Sequence, residues 1–305
     1  MNNIQLAPIV LFVFSRLDLA KQTLEGLKKN KLAKESELFI FSDAPKHETE
    51  NSKVLAVREY IRKVTGFKKV TIIEREKNFG LANNIIDGVT SILRENNRVI
   101  VMEDDLLTSP YFLDFMNEAL DFFEENNNIF SISGWSLRLN TLNKYEEDIY
   151  FHNRYSSWSW ATWSSRWNQM IFSKKNIRNL ILQKPSLIKN FNIAGSDLTN
   201  MLNDCLDEKN DSWAIRACFS QHINKKLTVC PSKTLVMNIG FSPEATHTKS
   251  KNVYDQSELS TLKQWKFMKS PTFENGKILK SLQDFYSLRN RIRRKILQFL
   301  TSTIN

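Results

Sequence analysis

The sequence predicts an α/β protein with a mainly parallel central sheet, Rossmann-like with helices on both faces, followed by a C-terminal basic amphipathic helix. Three observations predict it. Strand-like apolar stretches alternate with stretches of helical spacing across residues 8–105, the connections between them are short, and the opening apolar run is unbroken. A strand that is apolar at successive positions is buried on both faces, as strands of a helix-covered parallel sheet are. A repeated β-α-β order with short connections calls for parallel pairing through helical crossovers.

Taken in order, Pro8–Ser15 (PIVLFVFS) is the first strand, and Leu17, Ala20, Leu24 and Leu27 set a helix over Leu17–Leu27. LFIFS at Leu38–Ser42 is the second strand and Lys53–Val64 the second helix. VTIIE at Val70–Glu74 is the third strand, Gly80–Arg94 the third helix, and RVIVM at Arg98–Met102 the fourth strand. Further on, Ile129–Ser133 reads as a strand, Asn176–Glu208 as helices, Leu227–Val229 and Thr234–Met237 as short strands, and Asn238–Thr248 as a loop. A polar stretch from about Lys249 leads to the tail, where Leu288, Ile292, Ile296 and Phe299 recur at helical spacing.

Composition removes several function classes. With 41% hydrophobic and 25% charged residues, the 305-residue chain has the balance of a globular protein rather than a disordered one. Its apolar runs, such as Ile9–Phe14, are far shorter than the roughly 20 residues of a membrane span, and Met1-Asn2-Asn3 does not open a secretory signal. Three cysteines, Cys205, Cys218 and Cys230, lie in no CxxC spacing and fit a reducing compartment. The expectation is a cytoplasmic protein. The net charge is +10, and the five basic residues of 285–305, unopposed by any acid, carry half of it. Such a helix suits an anionic membrane surface on the inner face of the cell membrane, or else docks on its own domain with the basic face in solvent.

In a sheet of this kind ligands bind at the carboxyl ends of the strands. The residues there are Ser15-Arg16, Ser42-Asp43, Asn78-Phe79-Gly80 and Glu103-Asp104-Asp105. FSRLDLA after the first strand contains neither GxGxxG nor GxxxxGK[ST], which argues against a dinucleotide dehydrogenase or a P-loop NTPase. Three adjacent carboxylates after a buried strand repel one another, and a hard divalent cation offsets that cost. One or two carboxylates, with the remaining ligands from a diphosphate and water, suit a nucleotide-diphosphate substrate. The competing reading is a helix start, since Thr108-Ser109-Pro110 follows closely.

Four segments in order then resemble one family. They are Pro8–Arg16, VIVMEDDLLTSPYFLDF at Val99–Phe115, the tryptophan-rich Trp158–Trp167, and Asp211-Ser212-Trp213 with PSKTLVMNIGFSPEATH at Pro231–His247. Together the sequence resembles a GT-A-fold glycosyltransferase, nearest the N-acetylglucosaminyltransferase I family and its bacterial relatives. The resemblance implies a metal-dependent, inverting hexosyl- or N-acetylhexosaminyl-transferase with Mn²⁺ or Mg²⁺, a nucleotide-sugar donor (a UDP-sugar first) and a glycan or glycolipid acceptor. It implies a GT-A domain over 1–248, with a nucleotide-binding half at 1–105 and an acceptor-side half at 106–248. An extension at 249–284 and the tail at 285–305 follow. It places Glu103 on the donor sugar, Asp104 on the ribose and Asp105 on the metal, with His247 as a further metal or diphosphate contact. Arg16 and Asp43 fall near the base and ribose, Asn78 near donor hydroxyls, and Trp158, Trp160 and Trp213 on the acceptor side. Asp211 is the implied general base.

Several of these residues have plainer readings. Asp211 could cap a helix with Ser212, Asn78 could cap the third helix, and the tryptophans could be core. His47, His152 and His222 have no ligand-like spacing. No stretch matches the membrane anchor of the family's eukaryotic members, and Asn140–Asp148 matches none of its motifs. The abundance of Lys, Asn and Ile suits AT-rich bacterial coding, and hence surface polysaccharide or lipopolysaccharide assembly. Two other readings compete: a basic nucleic-acid-binding protein and a nucleotidyltransferase. Against the first, the charge is concentrated in the tail and no helix-turn-helix, zinc-finger or RNP-like segment occurs. Against the second, FVFSRLDLAKQ offers only Arg16 and Lys21 where such enzymes carry a Gly- and Lys/Arg-rich signature.

Overall fold

Nine consecutive strand and helix segments fill the first half of the chain. The computed structural model describes residues 6–241, 254, 258–271 and 273–302. They are β1 (Ile9–Val13), α1 (Leu17–Lys28), β2 (Glu37–Ser42), α2 (Asn51–Ile61), β3 (Lys69–Glu74), α3 (Gly80–Leu93), β4 (Arg98–Glu103), β5 (Leu106–Thr108) and α4 (Phe112–Phe123). β6 (Ile129–Ser133), β7 (Ile149–His152), β8 (Trp160–Trp163), α5 (Ser164–Trp167), α6 (Lys174–Gln183), α7 (Leu198–Leu206) and α8 (Trp213–Ile223) follow. β9 (Leu227–Pro231), β10 (Val236–Asn238), α9 (Phe273–Tyr286) and α10 (Leu288–Ser302) complete the described order.

The central sheet has eight strands in the order β3-β2-β1-β4-β8-β6-β9-β7. β1 pairs in parallel with β2 and β4, and β2 with β3. β8 runs antiparallel between β4 and β6, β9 lies parallel to β6, and β7 closes the order antiparallel to β9. This is the mainly parallel α/β sheet that the sequence predicts. β1 shows why its apolar run is unbroken. Ile9, Leu11 and Val13 pack into one core cluster with α1, α2 and α4 residues, while Val10 and Phe12 pack into a second with α3, α7 and α8 residues. Each face of the strand therefore has its own hydrophobic layer.

Three departures from the sequence reading have clear causes. The tryptophan-rich segment is a strand: β8 inserts between β4 and β6, so Trp160 and Trp163 are buried in the sheet. Residues 249–284, read as a polar extension, hold most of α9, which runs on to Tyr286. Its Ile278, Leu282 and Tyr286 stand four residues apart and form a third cluster with Leu137, Leu139, Tyr150 and Cys230. Exposed lysines and glutamine on the same helix dilute its apolar signal. Finally, β5 and β10 pair antiparallel, so Leu107 faces Met237 across a two-stranded ribbon beside the sheet.

Candidate functional site

A cleft of about 710 Å³ opens at the carboxyl ends of β1, β2 and β4. One wall comes from the strand ends: Ser15 and Arg16 after β1, Asp43 after β2, and Glu103, Asp104 and Asp105 after β4. The start of α3 adds Asn78 and Gly80. The rest comes from the second half of the chain, chiefly Trp158, Asp211, Trp213, Gly240 and Phe241. Nine of the eleven residues singled out in the sequence line this cleft, and the two exceptions, Trp160 and His247, are placed below.

The acidic triplet is held by its backbone. Thr23 of α1 donates its hydroxyl to the Asp104 carbonyl at 2.9 Å and accepts from the Leu106 N–H at 3.1 Å. Ile239 N–H donates to the Asp105 carbonyl at 2.8 Å, just beyond the β5–β10 pairing. The turn is so tight that a Cβ at position 240 would sit 2.8 Å from both Cβ and Cγ of Asp105. Only glycine leaves Asp105 where it is.

Arg16 is the cation of this wall. Its guanidinium forms an ion pair with Asp104 and donates to Asp105 Oδ2 at 2.9 Å. Phe14 N–H also donates to Asp104, at 3.4 Å. Glu103 accepts no side-chain hydrogen bond among the described residues. Burial, then the charges of Asp105 and Asp104, push its carboxyl up to about 8. Burial pushes Asp104 up to about 6 against the opposing pull of Arg16. Among the described residues, Arg16 is the cation paired with this triplet, through Asp104 and Asp105, so three carboxyl groups stand beside one guanidinium.

Asp43 and Asn78 do structural work at the same edge. Asp43 accepts from Phe79 N–H at 2.9 Å and Gly80 N–H at 3.0 Å, so it satisfies orphan amides at the start of α3. Asn78 donates to the Ala44 carbonyl at 2.6 Å and to Asp43 at 3.3 Å. Gly80 takes φ +71°, a conformation open to glycine, which lets the chain turn into α3 against Asp43.

On the other wall, Ser212 caps α8 by accepting from Ile215 N–H at 3.3 Å, which leaves Asp211 free of that duty. Asp211 instead meets Lys174 Nζ at 3.0 Å and Arg216 at 3.2 Å. Both cations come from segments the sequence did not single out, 37 and 5 positions away, and no local pattern marks the Lys174 contact. Trp158 lines the cleft half-buried, in edge contact with Trp135 and Phe241. Trp213 lines it from within the core. Trp160 does not reach it: its ring is 1% exposed and stacks on Trp167 at 5.6 Å. Of the histidines, His152 is buried in β7, and burial with the Arg154 charge holds its pKa down to about 3. His247 lies outside the described residues.

The side chains fit a divalent cation of a particular kind. Carboxylate oxygens are hard ligands suited to Mn²⁺ or Mg²⁺. A Glu103 carboxyl that no described side chain bonds, in a triplet with one paired guanidinium, is what such an ion relieves. Among the described residues, no three His, Cys, Asp or Glu side chains converge as a metal-holding group. The fit is therefore to an ion that takes one or two protein ligands and the rest from substrate oxygens and water, not to a closed protein cage.

No protein-family model matches the sequence, and no curated protein matches it. Among solved structures the chain is similar to a mannosyltransferase, PcManGT, from Pyrobaculum calidifontis in complex with GDP-Man and Mn²⁺. The identity is 13% over 52% of this chain and 45% of that one, at a TM-score of 0.36. It is similar to S. aureus TarS at 13% identity over 78% of this chain and 37% of that one, TM-score 0.43. It is similar to a cytidylyltransferase from Leptospira borgpetersenii serovar Hardjo-bovis (strain JB197) at 12% identity over 53% of this chain and 62% of that one, TM-score 0.32. The chain thus spans less than two thirds of each of these neighbours, and the likeness is to part of their backbones.

Proposed function

We propose that the protein is a metal-dependent GT-A glycosyltransferase that moves a sugar from a nucleotide-sugar donor, a UDP-sugar first, to a hydroxyl of a glycan or glycolipid. The observation that carries this reading is the pairing, across one cleft, of a charge-deficient carboxylate triplet with an aspartate held by two cations beside an aromatic wall. The first wall suits a diphosphate with its cation, and the second suits a hydroxyl that must lose a proton. Asp105 and Glu103 would hold Mn²⁺ or Mg²⁺, which, when bound, neutralises charge building up on the departing diphosphate. Arg16 reaches the same place and supplies a second positive group to the leaving group.

Asp211 would accept the acceptor hydroxyl's proton as that oxygen attacks the anomeric carbon, giving inversion in one displacement with no covalent intermediate. Lys174 and Arg216 hold its carboxylate in place. Trp158 and Phe241 offer flat apolar faces against which a sugar ring packs. The Lys-, Asn- and Ile-rich composition favours bacterial surface polysaccharide or lipopolysaccharide assembly as the setting.

A thermal-shift panel of UDP, GDP, CMP, TDP and ADP, each with and without Mn²⁺, tests the reading. A ligand at a hundred times its Kd stabilises by about 2.7 kcal/mol, a shift of a few degrees at this size. One nucleotide acting only with metal is the expected result. Flat curves throughout would remove the reading. Released nucleoside diphosphate, rather than pyrophosphate, separates it from a nucleotidyltransferase.

A further inference from the structure

The tail helix turns its apolar face away from the protein. Leu288, Ile292 and Ile296 stand four residues apart on α10 and are 62%, 48% and 54% exposed. At about 100° per residue they fall within an arc of roughly 80°. The opposite, polar side of the helix faces the domain. Asn290 donates to the Asp284 carbonyl at 2.6 Å, and the Arg294 guanidinium stacks 4.0 Å over the Phe285 ring. A helix that docks on its own domain does the reverse, burying its apolar stripe and wetting its charges. α10 is anchored by polar atoms and leaves its apolar ridge in solvent.

Charge flanks that ridge. Arg289 and Arg293 are exposed along one side and, with Ser287, Asn290 and Asp284, line a shallow hollow at the α9–α10 junction. Arg291 lies toward the other side. Asp284 is the sole acid of the hollow, and α10 itself carries none. An exposed apolar ridge bordered by arginines matches a surface that is apolar below and anionic above. No helix among the described residues is long and apolar enough to cross a membrane.

The helix also stands close to the cleft. Trp158 lines the cleft and lies 5.2 Å, ring to ring, from Tyr254, which lies 5.8 Å from Phe285, the ring under Arg294. Two ring contacts and one guanidinium–ring contact connect the acceptor wall to the tail.

We infer that α10 docks the protein on an anionic phospholipid bilayer, with the Leu288–Ile292–Ile296 ridge in the interface and Arg289 and Arg293 on lipid phosphates. The acceptor wall then lies beside the bilayer, which favours a membrane-held acceptor. The docking rests on α10 alone and goes beyond the transferase reading.

The test uses the full chain, co-sedimented with vesicles of phosphatidylcholine alone or of phosphatidylcholine with phosphatidylglycerol. Binding is expected to the anionic vesicles only and to weaken with salt. Arg289→Gln with Arg293→Gln should weaken it roughly 10–30-fold. Leu288→Ser with Ile292→Ser and Ile296→Ser should abolish it while leaving the melting temperature and any nucleotide shift nearly unchanged, because those side chains belong to none of the three core clusters. Failure of the native chain to bind, or undiminished binding by the triple variant, overturns the inference. So does a native dimer that the triple variant makes monomeric without vesicle binding, since the ridge would then be a self-interface. Nucleotide shifts are read separately, so failure of the transferase reading leaves this result standing.

Discussion

Asp211, Glu103 and Gly240 carry the sharpest residue-scale consequences. Asp211→Asn keeps the shape of the side chain but removes the carboxylate proposed as the proton acceptor. Turnover should fall about 10²–10⁴-fold with donor affinity nearly unchanged. A mutant with near-native kcat would take the base role away from Asp211. For Glu103, the pKa of about 8 lies above the ordinary carboxylate value, so the folded protein binds a proton that the unfolded chain has already lost. Its contribution to stability is therefore present below about pH 4.5 and is lost as pH rises toward 8. A divalent cation bound there displaces that proton. Calorimetry of Mn²⁺ binding at pH 7 in buffers of different ionisation enthalpy should show proton release, and Glu103→Gln should remove most of it. Equal heats in all buffers would contradict the assignment. Gly240→Ala pushes a methyl against the Asp105 side chain and should weaken Mn²⁺ binding about 10–100-fold, the usual cost of disturbing a supporting contact. Unchanged affinity would show that Asp105 moves without consequence.

At the scale of elements, α9 finishes the sheet. β7 ends the sheet order, and Asn275 of α9 satisfies both backbone polar groups of its Phe151: Phe151 N–H donates to Asn275 Oδ1 at 2.8 Å, and Asn275 Nδ2 donates to the Phe151 carbonyl at 3.2 Å. A side-chain amide thus closes the edge at one residue and blunts its capacity to pair with another strand. The end of α9 is tied by Arg154, which pairs with Asp197 through two bonds of 3.0 Å and stacks 4.3 Å over the Tyr286 ring. Leu282 is 2% exposed within the third core cluster. Leu282→Ala should cost about 2–5 kcal/mol in urea unfolding, and Asn275→Ala about 1–3 kcal/mol for the stranded Phe151 amide. If both fall below about 0.5 kcal/mol, α9 is an appendage and not part of the folded unit.

At the scale of the whole molecule, one sheet runs through both halves of the chain. β8 and β6 continue directly from β4, so the half that carries the acidic triplet and the half that carries Asp211 share a single hydrogen-bonded ladder. The two core clusters lie on its two faces rather than in two domains. Calorimetry should accordingly show one main unfolding transition, raised as a unit by nucleotide with metal. Two separated transitions would mean that the halves fold independently and that the cleft lies between mobile bodies.

The amino-acid sequence by itself determined the first four strands, their helices and the place where their polar ends converge. Those elements are local: strand runs and helix spacings are written within a dozen residues, and each boundary fell within a few positions of the observed one. It also marked Arg16, Asp43 and the Glu103–Asp105 triplet, because a polar residue ending a buried strand stands out against its neighbours. What only the tertiary structure decided came from long-range contact. Trp158 and Trp160 are two residues apart and alike in sequence, yet Trp160 is in strand β8 and the core, whereas Trp158 precedes the strand, across Ser159 at φ +53°, and lines the cleft. Lys174 and Gly240 gain their parts from partners 37 and 135 positions away, and α10 shows which face it buries only once α9 is in place beneath it. Such assignments depend on which surfaces meet, and a one-dimensional pattern of apolar and charged residues does not encode that without the packing that brings them together.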